Sequence, residues 1–298
     1  MARQLNAGRM LATLASSATL LLAQPILAQD APAEQQQPVA LPWTAGPGTA
    51  PIGDDLAEIE VPEGYVFLDA DGTRKLMDLT QNPLTGKEMA TVAPAAQDEN
   101  WFLVFEYDPV GYVPDDEKDA LDADAMLTSI REGTEAANEE RRERGWAALQ
   151  IVGWHEAPHY DERTKNLSWA IVGRSDAGGD NINKIVKVLG RRGVMTVTLV
   201  AAPDEMATAA AKVDTLLDGY HYMPGNTYAE YVPSTDKLAE YGLTALVVGG
   251  AGAALVKSGL LAKLWKPLVV AVAALGAGLK RLLFGGRKVE KSLEGPIG

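Results

Sequence analysis

The 298-residue chain has no cysteine. That excludes disulfides, thiolate metal sites, a cysteine nucleophile and an N-terminal lipid-modified cysteine. Histidine is almost as scarce: His155, His159 and His221 are all there is. Cations are outnumbered, with 27 Lys and Arg against 40 Asp and Glu and a net charge of −13. Nucleic acid is therefore excluded as a partner, because its phosphates require clustered Lys and Arg. The common catalytic strings are missing too. No serine sits in a G-x-S-x-G elbow, Thr85-Gly86-Lys87 lacks the earlier glycine of a phosphate loop, and Gly46-Pro47-Gly48 is not followed by a dinucleotide pattern.

What is present is a polarity along the chain. Residues 1–28 carry a net +2, residues 29–240 a net −21, and residues 241–298 a net +6. An acidic body between basic ends suits a membrane-targeted protein whose body lies on the far side. Residues 1–28 read as a signal peptide. Arg3 and Arg9 form the charged region, residues 10–22 are apolar, and Ile26-Leu27-Ala28 offers a cleavage site. An uncleaved N-terminal anchor is the alternative. Residues 29–53 read as a disordered Pro/Gln-rich tether, with Gln35-Gln36-Gln37, five prolines and no apolar periodicity to offset chain entropy.

Residues 54–234 read as a periplasm-facing α+β domain, an antiparallel sheet with packed helices. Short strands are expected at 59–62 and 64–68, and a helix at 71–81 stopped by Asn82-Pro83. The run WFLVFEY at 101–107 is the strongest strand pattern. An acidic run (Asp115, Asp116, Glu117, Asp119, Asp122, Asp124) lacks the glycine and terminal glutamate of a calcium loop. It suits the positive end of a following helix with Met126, Ile130, Thr134 and Ala137 inward and Arg141, Arg142 and Arg144 near its end. Strands follow at 148–154, 167–173 and 194–201, the first two joined by a long turn holding Pro158, Asp161 and Asn166. A helix is expected at 181–189, from the stripe Ile182, Ile185, Val186, Leu189, and another at 204–217 burying Met206, Ala210, Val213 and Leu217. Trp101, Trp146, Trp154 and Trp169 suit core packing better than a pocket. This order resembles the sandwich of photosystem extrinsic and Ran-binding small proteins.

Residues 235–284 read as a membrane anchor region containing a C-terminal transmembrane helix. Thr235-Asp236 is a helix cap, and from Tyr241 to Leu279 there is no acid. A span needs about 20 apolar residues. Two stretches compete, 241–262 interrupted by Lys257, and 264–284 with a pure centre at 267–279. A single span would leave 285–298 as a basic cytoplasmic tail, in keeping with the positive-inside rule. Gly249, Gly250, Ala253 and Ala254 would permit close helix contact, so a self-associating membrane sensor is a third reading.

His155-Glu156-Ala157-Pro158-His159 matches the zincin string H-E-x-x-H. That chemistry needs both imidazoles one helical turn apart, with the glutamate as base. Pro158 removes a helix hydrogen bond inside the string, and the flanks read as strand and turn. No metal site is therefore expected; His155, Glu156 and His159 are the only candidates for one. No catalytic residue or cofactor follows from the remaining residues.

Several strings together carry a family resemblance. They are Gly64-Tyr65-Val66-Phe67-Leu68-Asp69-Ala70, the run from Trp101 to Glu117, Asp122-Ala123-Asp124-Ala125, Gly153-Trp154, Tyr160-Asp161, Trp169-Ala170, Leu189-Gly190-Arg191 and Ser234-Thr235-Asp236-Lys237. The chain resembles, over roughly residues 55–285, the bacterial uncharacterised membrane-anchored proteins built on domain of unknown function 2167. The resemblance implies a membrane-anchored protein of bacterial envelopes and no activity, substrate or functional residue. The resulting expectation is a single-pass inner-membrane protein whose domain faces the periplasm. It would act as a binding module for an envelope protein, with the lipid bilayer holding its C-terminal helix. An envelope hydrolase using carboxylates or the His155/His159 turn is the alternative.

Overall fold

The computed structural model describes residues 41–247 and 289–292. Its centre is a nine-stranded sheet. Across that sheet run β12 (Val289–Ser292), β1 (Trp43–Ala45), β4 (Tyr65–Leu68), β5 (Glu88–Pro94) and β6 (Phe102–Asp108), then β10 (Val194–Ala201), β9 (Asp180–Leu189), β8 (Asn166–Ser175) and β7 (Leu149–Asp161). Every neighbouring pair is antiparallel except β12 with β1. A second sheet of three strands is ordered β11 (Tyr220–Tyr222), β3 (Ala57–Val61), β2 (Gly48–Ile52). The α+β class with a large antiparallel sheet is as the sequence implies.

Both faces of the large sheet are covered, which explains why its central strands are apolar without alternation. On β6, Leu103 and Phe105 point to one side and Phe102 and Val104 to the other, all at most 2% exposed. The first pair packs with β10 residues Val197 and Leu199 under the small sheet and α3 (Met206–Asp218). The second pair packs under Leu76 and Met77 of α1 (Ala70–Leu79). Further along this second face, α2 (Ala123–Glu143) and α4 (Leu243–Val247) cover Leu167, Trp169, Ile185 and Leu189. The acidic run does precede α2, whose N-cap Asp122 accepts from the backbone N–H groups of Asp124 and Ala125. Met126, Ile130, Thr134 and Ala137 are buried as expected. In α3 the inward stripe is Met206, Ala209, Val213 and Leu216, one position off at two places.

Residues 181–189 are not a helix but strand β9, paired on both sides by β8 and β10. Ile182 and Val186 face one layer while Ile185 and Leu189 face the other. A strand buried on both faces produces the same i, i+3, i+4, i+7 spacing as one helical stripe, and β-branched residues favour the strand. Strand β7 likewise runs past Pro158 to Asp161, so the turn to β8 is shorter than expected. Proline is tolerated because β7 is an edge strand with register shifts on either side of Glu156. Strand β5 has no counterpart in the sequence reading.

The tether expected over 29–53 is also corrected in its described part. Leu41 and Trp43 are buried at 5% and 4% exposure, and Ala50 and Ile52 are fully buried. Pro51 occupies an exposed position on β2, at the edge of the small sheet, where a missing N–H costs little. Residues 1–40, including the signal peptide, lie outside the described residues.

Two C-terminal pieces lie among the described residues. Leu243, Leu246 and Val247, at the start of the 241–262 stretch, are buried in the body beneath the large sheet. Thr235-Asp236 caps no helix; instead Glu117 accepts from the Thr244 N–H at the start of α4. Second, β12 pairs in parallel with β1, aligning Trp43 with Val289 and Ala45 with Ser292. This pairing falls within the 285–298 stretch read from the sequence as a tail. Among the described residues no helix is long and apolar enough to cross a membrane. Residues 248–288, which hold the rest of both candidate spans, lie outside the described residues.

Candidate functional site

His155, Glu156 and His159 lie exposed on strand β7. In extended chain the two histidines are about 13 Å apart along the strand, at ~3.3 Å per residue, rather than one helical turn. Glu156 pairs with Lys184 at 3.7 Å. Among the described residues no three His, Cys, Asp or Glu side chains are grouped to hold a metal. Trp101 and Trp169 are core residues at 2% and 4% exposure, and Trp146 lies under the Arg144 guanidinium at 4.8 Å.

A cleft of about 500 Å³ opens where the end of β9, strand β11 and the short 3-10 turn Tyr228–Glu230 converge. Its wall is tyrosine. Tyr112 is stacked between Tyr231, at 3.8 Å and 12° between planes, and Tyr228, at 4.4 Å and 19°. Tyr222 forms the floor, donating its hydroxyl to the Val188 carbonyl and accepting from the Met195 N–H, both at 2.9 Å. The Tyr228 hydroxyl donates to the Val113 carbonyl at 2.9 Å. With the Tyr222 and Tyr228 hydroxyls committed to the backbone, these two residues offer the cleft their ring faces.

The loop carrying Tyr228 and Tyr231 is pinned in three ways. Arg191 forms a bidentate pair with Asp236 at 2.6 and 3.0 Å. Thr227 and Glu230 make a reciprocal capping box. Tyr112 exchanges backbone hydrogen bonds with Lys237 and Ala239 at 2.8 Å. Two glycines make the close approaches possible. At Gly190 a Cβ would fall 2.8 Å from the Tyr222 ring, and at Gly111, with φ 104°, it would fall 2.6 Å from the Lys237 carbonyl oxygen.

The charges around the cleft are tied. Lys165, at φ 57° in the β7–β8 turn, donates to Asp115 at 3.0 Å, and the Tyr160 hydroxyl donates to the same carboxylate at 2.8 Å. Burial raises the Asp115 pKa, but those two hydrogen bonds outweigh it and hold the group below its ordinary value. Asp236 is held at about 2 by Arg191 and the Val232 N–H. Burial drives the Tyr160, Tyr222 and Tyr228 phenols upward, so their rings stay neutral. His221 on the rim pairs with Glu58 at 2.7 Å. The result is a largely apolar, neutral stacking surface suited to holding a ligand rather than moving protons.

A second polar group lies inside the large sheet. Glu88, Glu106, Thr196 and Lys187 occupy directly opposed positions on four adjacent strands. Lys187 Nζ donates to Thr196 Oγ1 at 2.7 Å, and Thr85 Oγ1 donates to Glu106 at 2.7 Å and Glu88 at 3.0 Å. Burial raises the Glu106 pKa against the Thr85 hydrogen bond and the Lys187 charge. Burial pushes Lys187 down to about 8 against the pull of Glu106. With Glu88 and Glu106 only 3% and 6% exposed, a polymer substrate does not reach this row. Its trace in the sequence was Glu106, a charge inside an otherwise apolar strand. The cleft residues left less trace, since tyrosines scattered from 112 to 231 carry no spacing rule.

The family model for proteins of unknown function DUF2167 matches residues 44–279. The chain belongs to this DUF2167 family. No curated protein matches the chain. Among solved structures, the DUF2167 chain is similar to the PsbP protein (CyanoP) of Synechocystis sp. PCC 6803, at 15% identity over 61% of this chain and 93% of that one, with a TM-score of 0.35. It is also similar to the Ran-binding protein Mog1p of Saccharomyces cerevisiae, at 10% identity, 63% and 100% coverage and a TM-score of 0.31. A third is LpqN of Mycobacterium tuberculosis, involved in cell envelope biogenesis, at 13% identity, 59% and 91% coverage and a TM-score of 0.28.

Proposed function

We propose that this protein is a non-enzymatic binding module of the bacterial envelope, held at a membrane by its basic C-terminal region, and that its ligand seat is the tyrosine cleft. The observation that carries the reading is the Tyr231–Tyr112–Tyr228 stack beside a cavity of about 500 Å³, with the Tyr228 and Tyr222 hydroxyls already committed to backbone carbonyls. Such a surface binds through ring faces and desolvated apolar area. The partner best matched is a protein segment that places an apolar or aromatic side chain in the cleft and carries positive charge around it, because residues 29–240 hold a net −21. Envelope placement and membrane attachment rest on the charge polarity of the chain and the acid-free stretch from 241 to 279.

A photoreactive amino acid at Ala229, on the cleft wall, tests the seat in living cells, with the same residue at Asp176, in the β8–β9 turn, as control. Discrete adducts from position 229 and not from 176 are expected. Identical adduct patterns from both positions would remove the cleft as the binding seat.

A further inference from the structure

Glu106 is a buried titratable group that the cleft does not use. It sits 6% exposed on β6, directly opposite Glu88, which is 3% exposed on β5. Thr85 Oγ1 lies between the two carboxyls, 2.7 Å from Glu106 Oε1 and 3.0 Å from Glu88 Oε1. A threonine hydroxyl has one hydrogen and two acceptor lone pairs, so that hydrogen serves one carboxyl fully and not two. Glu88 already accepts at both oxygens, from the Thr85 N–H at 2.5 Å and the Gly86 N–H at 3.0 Å. Glu106 is the partner left to bring a hydrogen of its own. As a neutral acid it donates to Thr85 Oγ1, at a length ordinary for O–H···O. Thr85 then donates to Glu88 and accepts a second hydrogen from the Lys87 N–H at 3.2 Å, so every donor and lone pair of the hydroxyl is used. The alternative, two carboxylates directly opposed on adjacent strands, is repulsive, and burial strengthens the repulsion. The charged groups acting on Glu106 are Lys187, across Thr196 of β10, and Glu88 and Lys87 from the β5 side. Lys87 is itself paired with Asp108 at 2.5 Å. Burial outweighs the Thr85 hydrogen bond and both cations, and raises the Glu106 pKa above 4.5.

We propose that Glu106 is a protonated acid whose hydrogen closes the row Glu106–Thr85–Glu88, and that loss of this proton releases the loop of residues 83–86 from the sheet as a pH-sensitive latch. The loop is the element that moves because Thr85 and Gly86 are tied to Glu88 and Glu106 by four hydrogen bonds, and Gly86 turns the chain at φ 77°. With Glu106 ionised, Thr85 cannot satisfy both carboxylates, and the two repel. The folded state holds this proton more tightly than the unfolded chain. The stabilisation is therefore complete below about pH 4.5 and is lost as pH rises through the higher folded value. The latch is independent of the cleft and of any membrane contact.

The test compares wild type with Glu106→Gln, which never ionises and keeps a donor for Thr85. Amide hydrogen exchange at Thr85 and Gly86 is followed in the full chain in detergent. The two proteins are compared at equal pH, so the intrinsic pH dependence of exchange cancels. The range runs from about pH 4.5 to just below the Lys187 titration at about 8. Exchange should be alike at the acid end. At the upper end the wild type should exchange about tenfold or more faster, tenfold being the effect of a one-unit shift. The Met126 N–H at the start of α2, bonded to the Asp122 carbonyl, is the control and should not differ. A ratio that stays flat with pH would overturn the proton on Glu106. Equal quickening at Met126 would overturn the latch in favour of a global loss of stability. A second measurement needs no variant. With glutamate labelled at its carboxyl carbon in the wild type, Glu106 should titrate above pH 4.5, and a midpoint at or below 4.5 would overturn the proposal by itself.

Discussion

Lys187 offers a quantitative test of the buried polar row. Its ammonium lies on a central strand and donates to Thr196, and burial lowers its pKa from 10.5 to about 8. Because the folded state gives up this proton more readily than the unfolded chain, the charged lysine opposes folding below about pH 8. The penalty fades as pH rises toward 10.5, where the unfolded chain loses the proton as well. A shift of about 2.5 units corresponds to a ceiling of about 3 kcal/mol at ~1.4 kcal/mol per unit, a ceiling because Lys187 keeps partial exposure. About 2 kcal/mol of it is relieved between roughly pH 7.5 and 9.5. Lys187→Met removes the titrating group. In tryptophan-fluorescence melts of the full chain in detergent, the wild type should gain about 4–8 °C relative to the variant across that interval, at ~2–4 °C per kcal/mol for a body of this size. The buried tyrosines, whose folded pKa values are raised, make both proteins less stable at higher pH, and that contribution cancels in the difference. Melting curves that stay parallel from pH 7.5 to 9.5 would refute the placement of a desolvated ammonium in the sheet.

Other substitutions probe the cleft and the C-terminal boundary. Gly190→Ala drives a methyl against the Tyr222 ring and should destabilise by roughly 1–3 kcal/mol, read as a lower urea midpoint; an unchanged midpoint would mean the ring does not sit there. Asp236→Asn breaks the bidentate pair with Arg191, and hydrogen exchange should quicken at Arg191, whose N–H donates to the Asn226 carbonyl, and at Val232, whose N–H donates to Asp236. The Asp236 pKa is depressed, so its contribution to wild-type stability is complete above about 3.8 and is lost as pH falls toward about 2, and the variant should lack that acid limb. Leu246→Ala should cost about 2–5 kcal/mol in the unfolding of the body; an unchanged body would mean Leu246 belongs to the membrane segment instead.

The legible parts of the fold were those where one physical rule acted alone. Residues 101–107 had no competitor to a buried strand, and the acids before Ala123 with the arginines at 141–144 marked both ends of α2 through its dipole. Residues 181–189 were misread because Ile182, Ile185, Val186 and Leu189 satisfy two faces of a buried strand and one face of a helix equally well; only the neighbouring strands decide. Pro158 was read as a turn because its edge position and the adjacent bulges are tertiary facts. Residues 43–52 were read as part of a tether because prolines recur through 29–53 without apolar periodicity, while Trp43 and Ile52 have cores to enter that only the assembled sheets provide. The cleft was hidden for the same reason. Tyr112, Tyr222, Tyr228 and Tyr231 come together through Gly111, Gly190 and the Arg191–Asp236 pair, and each of these is a long-range contact.

The most direct test of the binding claim is the yield of crosslinked partner from Ala229 in the wild-type background and in Tyr231→Ala, with the melting temperature of both measured alongside. Tyr231 is the outer ring of the stack, and losing one aromatic pair costs about 0.5–1.5 kcal/mol, so the body should stay folded while the adduct disappears. Undiminished adduct from a folded Tyr231→Ala protein would contradict the account.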